Sequence, residues 1–183
     1  MPLSHPLPFW LSRPPLAGDP PGPGNHPSRW SAPPPLLWPL LLANLYPYFV
    51  YTNTLGMDMS FALFTSPGTV VQDGEYGYQN LFDATVDALY TAVAKLGGSR
   101  VRVVVSETGW PTAGGAAASV ENAMEYNQNL VRHVRKGTPR RPRRVEAYVF
   151  AMFNENLKEA GVEQSWGLFY PNMERVYPIT FAA

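Results

Sequence analysis

Apolar residues along this chain gather in three short runs, with stretches of helical periodicity between them. The runs are Leu40-Leu41-Leu42-Ala43-Asn44-Leu45-Tyr46, Val101 to Val105, and Val145 to Phe153. A short continuous apolar run predicts a strand covered on both faces, as in a parallel sheet. Two helices are predicted between the runs. Asn80 is a fitting N-cap for the first, and Asp83 puts negative charge in its first turn. Phe82, Val86, Leu89, Val93 and Leu96 then lay one apolar stripe along it, and Gly97-Gly98 stops it. Ser119 opens the second helix, with Ala123, Leu130 and Val134 on one side, and Gly137 and Pro139 end it. A long loop is expected between Phe49 and Asn80. Strand, helix, strand, helix, strand predicts an α/β fold built of parallel βαβ units. Three strands and two helices are few for a sheet of that kind, so the pattern reads as the end of a larger architecture.

Composition changes this picture at the N-terminus. Twelve of the 20 prolines lie in residues 1–35. Proline fixes φ and removes a donor, so this leader predicts disordered or extended chain rather than a helix or a central strand. The alternative is a polyproline ligand through Pro20-Pro21-Gly22-Pro23, a less common use of such segments. The same prolines break every apolar stretch that a secretion signal would need. No segment approaches the roughly 20 apolar residues of a membrane span.

Charge and residue usage narrow the chemistry. Lys plus Arg and Asp plus Glu are 14 each, which gives no reason to expect a nucleic acid or an anionic membrane as partner. With no cysteine there is no thiolate zinc site and no cysteine nucleophile, and of the three histidines two lie in the leader. No metal and no cofactor is expected. Catalysis, if present, rests on carboxylates, Lys, Tyr or backbone.

In parallel α/β folds, sites form at the carboxyl ends of the strands. The first run there delivers Tyr46, the second Glu107 and the third Glu155. Paired carboxylates among aromatics suit glycoside hydrolysis, in which one carboxylate attacks the anomeric carbon while an acid protonates the leaving oxygen. A separation of about 5–5.5 Å between them gives retention. Tyr46, Phe49, Trp110 and Phe153 would be the sugar-stacking faces. Each residue has a plainer alternative. A glutamate at a strand end often caps a helix or joins an ion pair, Trp110 suits a core, and Glu155 with Lys158 reads equally well as a surface pair.

Three blocks decide between these. VVVSETGWPTAGG, MFNENLKEAGVEQSWGLFYPNMERVYPITF and NLYPYFVY together resemble the plant glucan endo-1,3-β-glucosidases of glycoside hydrolase family 17, over about residues 36–183. The resemblance implies the C-terminal portion of a TIM (β/α)₈ barrel, strands six to eight with their helices, preceded by a leader unrelated to the family. It implies retaining hydrolysis of internal β-1,3 bonds in β-1,3-glucan. It puts the nucleophile on Glu107, accessory active-site roles on Glu155 and Lys158, and Tyr46 along the substrate cleft, where Phe153 is also expected as a stacking face.

The family's proton donor is a glutamate on an earlier strand, and nothing before residue 36 resembles that region. The expectations are therefore a nucleophile without its general acid and little hydrolysis by this chain alone. The alternative is an inactive fragment that at most binds β-glucan. Open sheet edges would favour self-association. Family members act outside the cell or in vacuoles, but the leader carries no recognisable signal. The chain ends where the family's catalytic domain ends, so no appended module is expected. Finally, Arg132 to Arg144 holds seven of the 14 basic residues. A solvated connection is the preferred reading there, over a nucleic-acid or import patch.

Overall fold

The computed structural model describes residues 39–181. The expected disorder of the leader at 1–35 lies outside them. The elements are β1 (Leu40–Asn44), α1 (Pro47–Asn53), α2 (Met59–Ala62), β2 (Val71–Asp73), β3 (Tyr76–Tyr78), α3 (Leu81–Lys95), β4 (Arg102–Thr108), α4 (Val120–His133), β5 (Ala147–Val149) and a 3₁₀ turn at Val162–Gln164. Strands β1, β4 and β5 form one parallel sheet in that order, and β2 and β3 form a hairpin. The fold is α/β with a parallel sheet, as the pattern predicted.

Both long helices start where their caps are. The Asn80 side chain accepts from the Asp83 amide at 2.8 Å, and Ser119 Oγ accepts from the Asn122 amide at 3.1 Å. Helix α3 buries Leu81, Phe82 and Val86, and α4 buries Ala123, Tyr126 and Leu130. These residues join Val105 and Trp110 in one core. Burying side chains of this size contributes about 1.5–3 kcal/mol each. The α3 stripe fades toward its end, where Leu96 is 87% exposed.

Several expectations are corrected. β1 is not covered on both faces: Leu40 and Leu42 are 55% and 61% exposed. β1 is an edge strand among the described residues, whereas β4, between β1 and β5, buries Val103, Val104 and Val105 in succession. The third strand is much shorter than Val145 to Phe153. Only Ala147–Val149 joins the ladder. The Phe150 amide still donates to Thr108 O of β4 at 2.8 Å, but from Ala151 the backbone takes other partners, with the Ala151 amide donating to Trp166 O at 2.9 Å and the Asn154 amide to Phe169 O at 2.8 Å. The long loop after Phe49 instead holds α1, α2 and the β2–β3 hairpin. Pro47, at the first position of α1, needs no amide partner there.

The basic side chains of the Arg132 to Arg144 connection are solvent-exposed, as expected, while its backbone is tied down. Thr138 Oγ1 donates to the buried Asp87 at 2.5 Å, and the Arg140 amide donates to the same carboxylate at 3.1 Å. Arg140 pairs with Asp73 at 2.8 Å and lies over Tyr76, and Arg141 lies over Tyr90.

Candidate active site

The register of β4 sets up the site. β1 and β4 pair in step from Leu40↔Arg102 to Ala43↔Val105, then slip so that Asn44 meets Glu107. Ser106 is the extra residue of this bulge, and its hydroxyl donates to Asn44 Oδ1 at 2.7 Å. A bulge resets which face the following side chains take. That lets a strand whose Val103 and Val105 are buried carry a half-buried glutamate at its end.

Tyr46 lies between β1 and α1, and its hydroxyl donates to Glu107 Oε2 at 2.7 Å. Burial, and then this hydrogen bond, hold the Tyr46 phenol above its ordinary range. The phenol therefore keeps its proton and remains the donor. A cleft of about 330 Å³ opens over the pair, lined by Tyr46, Phe49, Glu107, Phe150, Lys158, Glu163 and Trp166. Trp166 is 2% exposed and forms the floor of an aromatic cluster. Its ring centroid is 5.1 Å from that of Tyr46 and 5.6 Å from that of Phe49. Its indole N–H finds no acceptor among the described residues.

Lys158 reaches the cleft from the loop after β5. Its ammonium contacts Glu155 at 2.9 Å and lies 5.6 Å from the Phe150 ring centroid. The hydrogen bond to Glu155 is the first cause that holds the lysine above its usual value. Lys158 thus stays cationic beside Glu107. Two hydrogen bonds tie the loop to the 3₁₀ turn: the Glu155 amide donates to Gln164 O at 3.2 Å, and the Gln164 side-chain Nε2 donates to Lys158 O at 2.6 Å.

Glycine makes the rim possible. A Cβ at Gly109 would collide with the carbonyl oxygen of Phe150. The chain leaving β4 therefore crosses the chain leaving β5 at a distance that only glycine allows.

The structure brings Tyr46, Glu107 and Lys158 together, with Glu155 behind Lys158. Phe153 is not a cleft residue. Its ring faces Phe169 at 6.1 Å, in a bridge between those two segments, and Phe150 takes the wall position instead. Trp110 is a core residue with no exposure, and its indole donates to Ala117 O at 2.9 Å. Glu163, Trp166 and Phe150 escaped the sequence reading. The available signal was Glu163-Gln164-Ser165-Trp166, which lies inside one of the recognised blocks. Among the described residues no cluster of His, Asp and Glu is placed to hold a metal, and no helix is long and apolar enough to cross a membrane.

The model for "Glycosyl hydrolases family 17" matches residues 38–181. The chain belongs to this family. Among its family 17 relatives, Lichenase-2 of Hordeum vulgare is 63% identical over 142 residues, which are 77% of this chain and 46% of the relative. A glucan endo-1,3-beta-glucosidase of Vitis vinifera is 55% identical over 144 residues, 78% of this chain and 42% of the relative. A solved plant β-glucan endohydrolase superposes with a TM-score of 0.75 at 63% identity, over 76% of this chain and 46% of the other. The β-1,3-glucanase and pollen allergen CJP38 of Cryptomeria japonica gives 0.74 at 46% identity, over 77% of this chain and 45% of the other. The chain thus spans less than half the length of these family 17 relatives.

Proposed function

We propose that this cleft is the nucleophile side of a retaining endo-β-1,3-glucanase site. The hydrogen bond from Tyr46 to Glu107, beside a lysine and inside an aromatic-walled cleft, carries this reading. In the proposed reaction a Glu107 oxygen attacks the anomeric carbon of a β-1,3-linked glucosyl unit. The glycosidic C–O bond breaks, the leaving oxygen takes a proton, and water later hydrolyses the glucosyl ester. Tyr46 fixes the aim of the attacking carboxylate. Lys158, Glu155 and Glu163 hydrogen-bond sugar hydroxyls, and Phe49 and Phe150 flank the ring.

The three parallel strands are, on this reading, the last three of a (β/α)₈ barrel. Residues 36–183 are its catalytic portion, with 1–35 a separate Pro-rich leader. The family match over 38–181 and the two superpositions support this. We assign the general acid neither to Glu155, which is paired with Lys158, nor to Glu163, because the family's donor comes from an earlier strand. Residues 36–183 then hold the nucleophile without the acid, and the open strand edges favour self-association. That last point fails if sedimentation shows a monomer at high concentration. The working location, by family, is outside the cell or in the vacuole.

Leaving-group ability tests the assignment. Without an acid, turnover of laminarin should be lower by about 10²–10⁴-fold than in family enzymes. A dinitrophenyl β-laminaribioside leaves as a stable anion and needs no proton. Its burst of released phenol should survive in this chain and vanish in Glu107→Gln. Laminarin hydrolysis at family rates would sink the missing-acid reading, and a burst that persists in the variant would sink the nucleophile.

A second reading has its own support, since the 63% identical relative is named a lichenase while the 55% identical one is named an endo-1,3-glucosidase. Competition between laminarin and lichenan, a glucan of mixed 1,3 and 1,4 linkage, distinguishes the two. Stronger protection by lichenan would favour the lichenase-like specificity.

A further inference from the structure

The connection from Arg132 to Arg144 contains seven basic residues and no acidic one. All seven are exposed. Among the described residues only Arg140 makes an ion pair, with Asp73, which leaves Arg132, Arg135, Lys136, Arg141, Arg143 and Arg144 uncompensated. Six like charges this close repel one another and weaken the fold at low salt. A cation or two at the end of α4 suits the helix dipole, but that accounts for only part of the cluster.

The backbone that carries these charges is held by specific hydrogen bonds. Thr138 and Arg141 exchange amide–carbonyl hydrogen bonds at 3.0 Å each, and the Val145 amide donates to Val134 O at 2.8 Å. Gly137 has φ +77°, and a Cβ there would strike the backbone of Arg143. The Thr138 hydroxyl anchors the turn on buried Asp87. Arg140 and Arg141 are further fixed by stacking on Tyr76 and Tyr90, at 4.5 and 3.9 Å. A solvated linker needs none of this. A platform that presents guanidinium groups in fixed places does.

We infer that this turn is a docking surface for a polyanionic carbohydrate bearing carboxylates, a polyuronate. Six of its seven cations are arginines, whose planar forks match carboxylates in bidentate fashion. The Tyr76 and Tyr90 faces are already covered by arginine, so the turn offers no free ring for the base stacking that single-stranded nucleic acids use. The turn leads into the start of β5, whereas the cleft lies beyond the strands' carboxyl ends. The chain can therefore hold an acidic polymer at one end and leave its cleft free at the other. The choice of a carbohydrate rests on the glucanase reading; the binding itself is read without any hydrolysis assay.

The test is retention of the full chain on immobilised polygalacturonate across a salt gradient. Binding should weaken steeply with salt, and R135Q/K136Q/R143Q/R144Q should lose about tenfold or more at low salt while its circular dichroism and melting temperature hold. R143K/R144K keeps the charge but not the fork, and should fall between the two. No retention of the parent at low salt, retention unchanged in the quadruple glutamine variant, or tighter binding to duplex DNA than to polygalacturonate at equal salt each overturns the proposal. A cleft that fails to act on glucan leaves these readouts unchanged.

Discussion

Two carboxylates show how this fold separates structure from chemistry. Asp87, on α3, is 1% exposed. It accepts from the Thr138 hydroxyl at 2.5 Å, the Arg140 amide at 3.1 Å and the Tyr78 hydroxyl at 3.2 Å. Its lone pairs are largely spent on holding α3, the hairpin and the basic turn together. Glu107 is half-buried, takes one side-chain hydrogen bond, from Tyr46, and lines a cleft. A saturated carboxylate is a bracket. One with free lone pairs at an open rim suits the attack proposed for Glu107.

The comparison breaks if substitutions at the two places have similar effects. Glu107→Gln should remove the burst on an activated glycoside, a loss on the order of 10⁴-fold. Its melting temperature should stay within about 2 °C of the parent. Asp87→Ala should do the opposite. It strands two hydroxyls and an amide, at about 3 kcal/mol in total. That lowers the melting temperature by roughly 10 °C in calorimetry, with the burst per folded molecule unchanged. Tyr46→Phe removes one charge-assisted hydrogen bond and should slow the burst by about 10- to 100-fold with little change in stability. Equal burst rates would show that Glu107 needs no such partner.

The smallest effect is a pH dependence. Burial outweighs the three hydrogen bonds and raises the Asp87 carboxyl above its ordinary value. A group raised in the folded state binds its proton more tightly there, so its contribution is greatest in acid and is lost as pH climbs through the raised value. Asp87→Asn has no such contribution. Denaturant titrations should therefore show the parent gaining on this variant as pH falls from neutral toward the ordinary carboxyl value of roughly 4. A gap independent of pH would show that Asp87 keeps its ordinary affinity for protons.

The helix caps were legible because they are local. The side chains of Asn80 and Ser119 meet amides three residues away. The extent of the strands was less so. The β5 pattern runs apolar to Phe153, yet the Ala151 and Asn154 amides donate to Trp166 and Phe169, which no local periodicity encodes. Within the site, Tyr46 and Glu107 were legible from their place at strand ends. Glu163 and Trp166 were not, because the segment that carries them is placed by hydrogen bonds from Glu155 to Gln164 and from Thr112 to Ser165.

The sequence by itself determined the α/β order, the caps, the rim position of Glu107 and the family blocks. These depend on spacing along one chain. Tertiary structure alone decided that Tyr46 meets Glu107, 61 residues away, that Phe150 rather than Phe153 walls the cleft, and that a basic run became a hydrogen-bonded turn. Each depends on which distant backbone groups pair, and pairing is settled by the whole fold finding partners for its buried donors and acceptors at once.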